Sequence, residues 1–580
     1  MKTTTLLVGI TGHRDMTDES AELASQRVKK FFKTLKEQYP STPVYLISGM
    51  ADGADRVAAQ AALEEEVSVQ AVLPMPVEMY RADFTEKSSE ELDQILAHRL
   101  VETIELELPV DVDKEVAQKQ GPERNKLYAH LGDYLSRHCS ILIALWDGVS
   151  LGKKGGTSEV ILQYLDCNGH DELSFEKSLP VEPKTTEYVY WCPVKRQNNA
   201  EIPVEIAGND CVYLTGELTG SILQYHAEMP KQLHDQLNYL DQYNSQYDQI
   251  VAEDKFFTWG GLIENCPGAE DSPDLPLLQS IDAEYQKADG LAIFNQKFSD
   301  RQFKLFAYMA ALMGLFFLFY AKILASKVFL IGYLGLFLAG FWMFKKTEHK
   351  NWFSKHLMQR VIAETLRTRF YMILAGVNDK VNFKKLLTMT GVNQFSGFSW
   401  INLVLRLYEH ETHKAESIEK QQQDLDLVTG AWLNDQAGYF KNKIHKLEHS
   451  HHLVEKIKQR LLIASALSVV LLILFKNILV ENSLFGLIDF KTLLVFLMGL
   501  LPFWLGVWEI YMNKLAVKEL LWQYKNQSEI FSLAAFKMEN ARNLDERKKV
   551  LVELGEKSLM ENYLWTIHRY HREHEPPTAG

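Results

Sequence analysis

The sequence predicts an α/β domain on a doubly wound parallel sheet, followed by an all-α membrane region with two transmembrane helical hairpins, four spans in all. Three observations carry this expectation. Residues 1–215 alternate short β-rich runs with helical stretches, the pattern of strands joined by crossover helices. Several of those runs end in a glycine or proline turn that opens the next helix. The second half contains four long stretches without a formal charge, arranged as two pairs.

The opening residues, MKTTTLLVGITGHRD, form a short apolar run ending in turn chemistry, and read as a first strand, Thr5–Thr11, and not as a signal peptide. Further strands are expected at Val44–Ser48, Ser68–Pro74, Ser140–Trp146 and Tyr188–Pro193. Helices are expected near Ala21–Gln38, Ala54–Glu65, Leu127–Arg137 and Ser158–Leu165, which gives residues 1–215 a Rossmann-like architecture. Residues 216–300 are polar, with Leu and Tyr at helical spacing in QLHDQLNYLDQYNSQYDQI. They read as a helical linker interrupted by an exposed loop, ENCPGAEDSPDLPLL, and from about Ser280 a helix is expected to run into the first span.

Leu305–Ala321 and Val328–Phe344 are each 17 residues long without a charge, and Leu461–Phe475 and Thr492–Trp508 form the second pair. About 17 residues is the lower edge of what crosses the hydrocarbon layer. A buried soluble hairpin is the alternative, but runs such as ALMGLFFLFYA and LLVFLMGLLPFWLGVW exceed what one amphipathic face needs. Arg301, Lys304, Lys345, Lys346 and Lys350 flank the first hairpin, and Lys456, Lys458, Arg460, Lys514 and Lys518 the second. Positive charge at the outer ends of both hairpins predicts a multi-pass inner (cytoplasmic) membrane protein with both termini in the cytoplasm. Residues 301–380 then hold the first hairpin and an amphipathic helix, 381–455 a cytoplasmic helical connector, and 456–580 the second hairpin and C-terminal helices. The order span, turn, span, amphipathic helix occurs twice, offset by roughly 155–160 residues.

In a doubly wound sheet the turns after the strands converge on one crevice. The first such turn is Thr11, Gly12, His13 and Arg14, where a strand turns through a glycine and presents a guanidinium. The second is SGMADGAD (48–55), with Gly49, Ala51, Asp52, Gly53 and Asp55, whose glycines let backbone amides approach a phosphate at a helix start. The third holds Pro74, followed by Tyr80 and Asp83. The fourth, WDGVSLGKKGGTSEV (146–160), holds Asp147, Gly148, Gly155, Gly156, Thr157, Ser158 and Glu159. Each alone also reads as a tight connection; together they predict a nucleotide-like small molecule as ligand, with no resident cofactor and no metal. Gly155, Gly156 and Thr157 would offer amides and a hydroxyl to phosphate, with Lys153 and Lys154 adding charge. Asp147 or Glu159 would take ribose hydroxyls, and Arg14 a second phosphate. Arg14 and Asp55 have a second reading, as a mutual pair or a local helix cap.

With these motifs in place, residues 1–215 resemble the SLOG superfamily, which groups LOG phosphoribohydrolases, DprA-type proteins, the N-terminal region of TRPM channels and sensor domains of bacterial conflict systems. The resemblance is carried by GITGHRD (9–15), SGMADGADRVAAQAA (48–62), VLPMPVEMYRADF (72–84), and LIALWDG with GGTSEV (142–160). The hairpins, with RVIAETLRTRFYMILAGV and KELLWQYKNQSEIFSLAAF after them, are similar to SLATT-type two-span effector modules. The resemblance implies a sensor for a nucleotide-derived messenger fused to a membrane module that forms a pore or disrupts the bilayer, in anti-phage or conflict defence. A pore needs more hairpins than one chain offers, so a homo-oligomer is expected.

The LOG branch implies an alternative: a membrane-tethered nucleotide N-glycosidase (phosphoribohydrolase) with Glu159 and Arg137 as catalytic candidates. That branch carries PGGxGTxxE. Here GGTSE lacks the proline and the inserted x-Gly, so Glu159 follows the threonine by two residues and not three. One residue is about 100° of helical rotation, so binding without catalysis is preferred and no catalytic residue is assigned.

Composition narrows the remaining classes. With 62 basic and 75 acidic residues the net charge is −13, which gives no support to a nucleic-acid partner. Cys139, Cys167, Cys192, Cys211 and Cys266 lack CxxC spacing and read as reduced thiols, not as a disulfide framework or zinc site. His445, His449, His451 and His452 cluster before the third span, but two histidines on one helix face make an incomplete metal site. Glu509 ends the fourth span and either faces a pore or partner helix or reaches the interface.

Overall fold

The computed structural model describes residues 4–109, 112–150, 155–165, 174–177, 187–198, 210–216, 222–258, 260–348, 350–391, 397–409, 417–481, 483–484 and 488–574. Lys153, Lys154 and Cys167 lie outside the described residues. The chain forms two compact units, Met1–Lys255 with Gly391–His410, and Phe256–Thr390 with Glu411–Gly580.

In the first unit, with elements numbered along the whole chain, β1 (Leu6–Gly12), α1 (Asp18–Gln38), β2 (Val44–Ser48), α2 (Ala54–Glu64) and β3 (Ser68–Leu73) alternate strictly. Helices α3 (Val77–Tyr80) and α4 (Glu86–Leu96) lead to β4 (Val101–Glu105). Next come α5 (Lys114–Ala117), α6 (Pro122–His138), β5 (Ile141–Trp146) and α7 (Thr157–Tyr164). The unit continues through β6 (Ser174–Lys177), β7 (Val189–Pro193), β8 (Val212–Gly216), β9 (Ile222–His226) and α8 (Lys231–Ala252).

The strands form one nine-stranded sheet in the order β4-β3-β2-β1-β5-β7-β8-β9-β6. From β4 to β7 all neighbours are parallel, as the sequence predicts. Beyond β7 the sheet is mixed: β8 runs antiparallel to β7 and β9. Among the described residues no helix separates β7, β8 and β9, and strands without a crossover helix pair antiparallel. The sheet therefore continues past residue 215 to β9. β5, ILIALW, is buried at every position, which is why it reads as one apolar run without alternation. Around it Trp146, Ile161, Trp191 and Leu214 share one core cluster.

Residues from the 391–410 segment complete this unit. Helix α13 (Ile401–Leu405) leads to Arg406, whose buried guanidinium donates to the Cys139 carbonyl at 2.5 Å and pairs with the Glu187 carboxylate. Trp400 packs on Tyr243 with ring centroids 5.3 Å apart. A buried ion pair of this kind holds the segment in place, because losing either partner strands a charge away from water.

The second unit is helical: α9 (Leu275–Leu318), α10 (Lys327–Glu348), α11 (Trp352–Leu374), α12 (Phe383–Met389), α14 (Ile418–Val428), α15 (Asp435–Glu481), α16 (Phe490–Leu515), α17 (Val517–Glu539) and α18 (Leu544–His574). Four helices are long and apolar enough to cross a membrane. Their apolar side chains point outward, Val328 at 70%, Ile331 at 69% and Ile473 at 74% exposure, as lipid-facing positions require. Helix α9 has 44 residues, about 66 Å at 1.5 Å per residue, so one uninterrupted rod carries both a polar half and the first apolar run.

The twofold repetition legible in the sequence has a structural counterpart. The units α9–α10–α11 and α15–α16–α17 share an unusual break: a left-handed residue that is not glycine, Asn351 at φ 46° before α11 and Ala516 at φ 50° before α17. They also share an ion pair from the first helix to the third, Asp289–Arg360 at 2.7 Å and Glu448–Lys525 at 2.6 Å. Gly314 of α9 faces Phe503 of α16, where a Cβ would come within 1.9 Å of the ring, so the small residue permits the close crossing. Glu509 of α16 pairs with Lys458 of α15 at 2.6 Å, within the chain.

Candidate functional site

The neighbours of β1, β2 on one side and β5 on the other, place the switch point of the strand order between β1 and β5. There His13 Nε2 and Asp147 Oδ1 meet at 2.9 Å. Asp147 also accepts the Val149 N–H at 3.0 Å and lies 3.8 Å from Arg196, a guanidinium held by Asp15 through bonds of 2.9 and 3.0 Å. Burial alone would raise the Asp147 carboxyl, but His13, the Val149 amide and Arg196 more than offset it and hold the carboxyl below its ordinary value. Asp15 is also held low, chiefly by its hydrogen bond from Arg196.

The first two turns touch because their glycines carry no side chain. A Cβ on Gly12 would lie 2.4 Å from that of Ala54, and one on Gly53, at φ 79°, would lie 2.5 Å from the Arg14 carbonyl oxygen. The Ala54 N–H donates to the His13 carbonyl at 3.1 Å. Asp55, in the first turn of α2, turns back to accept the Ala51 N–H at 3.2 Å and lies against Gly49. Asp55 thus folds back on the turn before its own helix and forms no ion pair with Arg14 among the described residues. Its burial pushes the carboxyl up to about 6. Asp52 is spent on Arg56 at 2.8 Å, and Arg56 in turn donates to the Met50 carbonyl at 3.1 Å. Thr11 and Pro74 are buried at their strand ends, and the Tyr80 hydroxyl joins the second and third turns by donating to the Gly49 carbonyl at 2.9 Å.

In the fourth turn Gly148 has φ 83° and Gly155 φ 71°, and a Cβ on Gly155 would lie 3.2 Å from Tyr128 and Ala129 of α6. Gly156 is the N-cap of α7 with no side-chain cap, followed by Thr157 and the buried Ser158. Glu159 accepts the Gly155 N–H, so its carboxylate folds back on its own turn. Arg137 lies in the exposed last turn of α6, which enters β5 at the strand's beginning, whereas Glu159 follows its end. A strand of this length spans about 17 Å, and the Arg137–Glu159 pair of the N-glycosidase alternative is not assembled.

The sequence reasoning missed a network on α6. Arg124 is buried and grips Asp83, with Nε and Nη2 at 3.0 and 2.9 Å, while donating to the Ala117 and Met79 carbonyls at 2.8 and 2.9 Å. The Tyr128 hydroxyl donates to the same carboxylate. Arg14 lies over the Tyr128 ring, 5.3 Å from its centroid, and shares a hydrogen bond with its hydroxyl. The available signal was the i, i+4 spacing of Arg124 and Tyr128 just after a Gly-Pro helix start. Of the mouth's arginines, Arg56, Arg124 and Arg196 each have a carboxylate partner. Arg14 is exposed and, among the described residues, has none.

These features define a Rossmann-like α/β domain with its glycine turns gathered at the topological switch point, in a chain that also carries four helices able to cross a membrane. Residues 2–135 match the family model for DNA recombination-mediator protein A, a region that takes in the first three turns and ends before β5. The domain is thus SLOG-type over that region, and the chain fits a membrane-associated SLOG protein; the likeness of the hairpins to SLATT modules has no match behind it. No curated protein and no solved structure matches the chain. Among the described residues no group of three His, Cys, Asp or Glu side chains is placed to hold a metal, and the histidines on α15 make no such site.

Proposed function

We propose that the crevice binds a nucleotide-derived anion and that its occupancy controls the membrane region, which opens or disrupts the bilayer as a homo-oligomer. The observation that carries the reading is Arg14: an exposed guanidinium at the switch point, without a carboxylate partner among the described residues, beside three glycine-bearing turns. A planar donor fork of this kind is suited to phosphate, and a bound phosphate would supply the charge that Asp83, Asp52 and Asp15 supply to the other arginines. Control of the bilayer requires the ligand to favour one assembly of the spans over another. Bacterial anti-phage defence at the inner membrane, with both termini cytoplasmic, is the setting we propose for it.

The test uses the full chain in detergent and in liposomes. Thermal shift against nucleoside monophosphates, cyclic nucleotides and ADP-ribose derivatives is expected to find a stabilising compound, and the same compound to release entrapped dye from proteoliposomes. Arg14→Ala is expected to remove both responses while leaving the unliganded melting temperature within a few degrees. A stabilising compound that acts equally on Arg14→Ala would sink the reading.

A further inference from the structure

Two thiols outside the crevice stand opposite each other across a strand pair. β7 and β8 pair antiparallel with Tyr190 facing Tyr213 and Trp191 facing Val212, and the next step of that register sets Cys192 against Cys211. Their sulfurs are 2.9 Å apart. Directly opposed residues in an antiparallel ladder have Cα separations of about 4.5–5.5 Å, inside the range a disulfide spans, so closing a bond needs no strand movement. We propose that Cys192 and Cys211 form a reversible oxidation site, a cross-strand dithiol that closes to a disulfide when it meets a hydroperoxide.

The surroundings assign the roles. Cys192 is buried, whereas Cys211 is partly exposed and meets oxidant first. Arg27 lies beside the pair, donating to the Pro193 carbonyl and to Asp210, both at 3.4 Å. Hydrogen bonds from Cys192 and Tyr190, with Arg27 nearby, hold the Cys211 thiol below its ordinary value, while burial pushes Cys192 up. Low-pKa, accessible thiols next to a cation are the ones that react. The Cys211 thiolate attacks the peroxide oxygen; the O–O bond breaks, the leaving alkoxide or hydroxide takes a proton, and Cys211 becomes a sulfenic acid. The Cys192 sulfur, losing its proton, then attacks that sulfur and water leaves. Two thiols and one hydroperoxide give one disulfide, one alcohol or water, and one further water. Cys139, by contrast, is fully buried with its thiol pushed up to about 12, and has no facing sulfur among the described residues.

The experiment treats the full chain in detergent with hydrogen peroxide, followed by alkylation, intact mass and peptide mapping. The expected result is a loss of about 2 Da for the two hydrogens removed, a linked Cys192–Cys211 peptide, and reversal by dithiothreitol. Cys192→Ser is expected to stop at a sulfenic acid on Cys211, trapped by a cyclic dione. The proposal is overturned if both cysteines stay alkylatable at peroxide doses that oxidise the urea-unfolded chain, or if the linked peptide joins another pair.

Discussion

His13 on the turn after β1 and Asp147 on the turn after β5 meet at 2.9 Å, so two turns more than a hundred residues apart are locked together at the mouth of the sheet. Asp147→Asn keeps the shape and the contact with Val149 but removes the charge that faces His13 and Arg196. It is expected to lower stability at pH 7 by about 1.5–3 kcal/mol. The folded carboxyl titrates below its ordinary value of 3.8, so its contribution is complete above that value and is lost as pH falls through the lowered one. The gap between wild type and variant should therefore close toward pH 3. Thermal scans at both pH values check this, and an unchanged gap would contradict it.

Asp55 has the opposite sign. Its folded value of about 6 against 3.8 means that the folded state holds the proton more tightly, so ionisation becomes costly as pH rises from 3.8 to 6. The full difference is about 3 kcal/mol. Asp55→Asn, which still accepts the Ala51 N–H, is expected to melt above wild type at pH 7.5 and close to it at pH 4. A variant less stable than wild type at pH 7.5 would refute the burial argument.

Gly53 carries φ 79° where a Cβ would strike the Arg14 carbonyl. Gly53→Ala is expected to cost about 2 kcal/mol or more, as a left-handed, crowded glycine does, and to displace Arg14. Loss of melting temperature without loss of the ligand response would separate backbone strain from binding.

The position of Glu159 predicts an absence of hydrolysis. Its carboxylate is engaged by the Gly155 N–H, and Arg137 lies at the other end of β5. Chromatography of nucleoside monophosphates incubated with the protein is expected to show no free base. Base release by wild type that disappears in Glu159→Gln would restore the N-glycosidase reading.

The left-handed breaks give a prediction in the helical unit. Ala516 has φ 50°, a conformation that costs a residue with a Cβ about 1–2 kcal/mol. Ala516→Gly is expected to stabilise by about 1 kcal/mol, and Asn351→Gly by less, since Asn tolerates this region. Melting temperatures of the two variants rank the effects.

Much of this fold could be read from local pattern. β2 has its predicted limits, and β1, β3, β5 and β7 fall within a residue or so of theirs, because buried parallel strands are continuous apolar runs closed by turns. β4, VETIE, was invisible: its residues are exposed or half-buried and its charges mark an edge strand. The antiparallel end of the sheet was missed because nothing in VYLTG or ILQYH states which neighbour it will meet. In the site, the glycine turns were legible, since glycine reports a backbone need. The Arg124–Asp83 grip joins residues far apart in sequence, and neither side chain announces its partner. The place of Arg406 beside Glu187 was hidden for the same reason.

The elbow at Asn351 also returns the chain from α10 onto the polar half of α9. Helix α9 runs without a break from its polar half into its apolar half. Helix α11 is clamped along that polar half through Asp289–Arg360 and the 2.8 Å bond between Asn295 and Gln359. Helix α10 packs along the apolar half, with Phe329 against Phe316, Gly340 beside Met309, and Gln302 donating to Thr347 Oγ1 at 2.7 Å. α9 is thus a spine with one helix laid along each half, and α15 departs from this plan with a kink at Phe475.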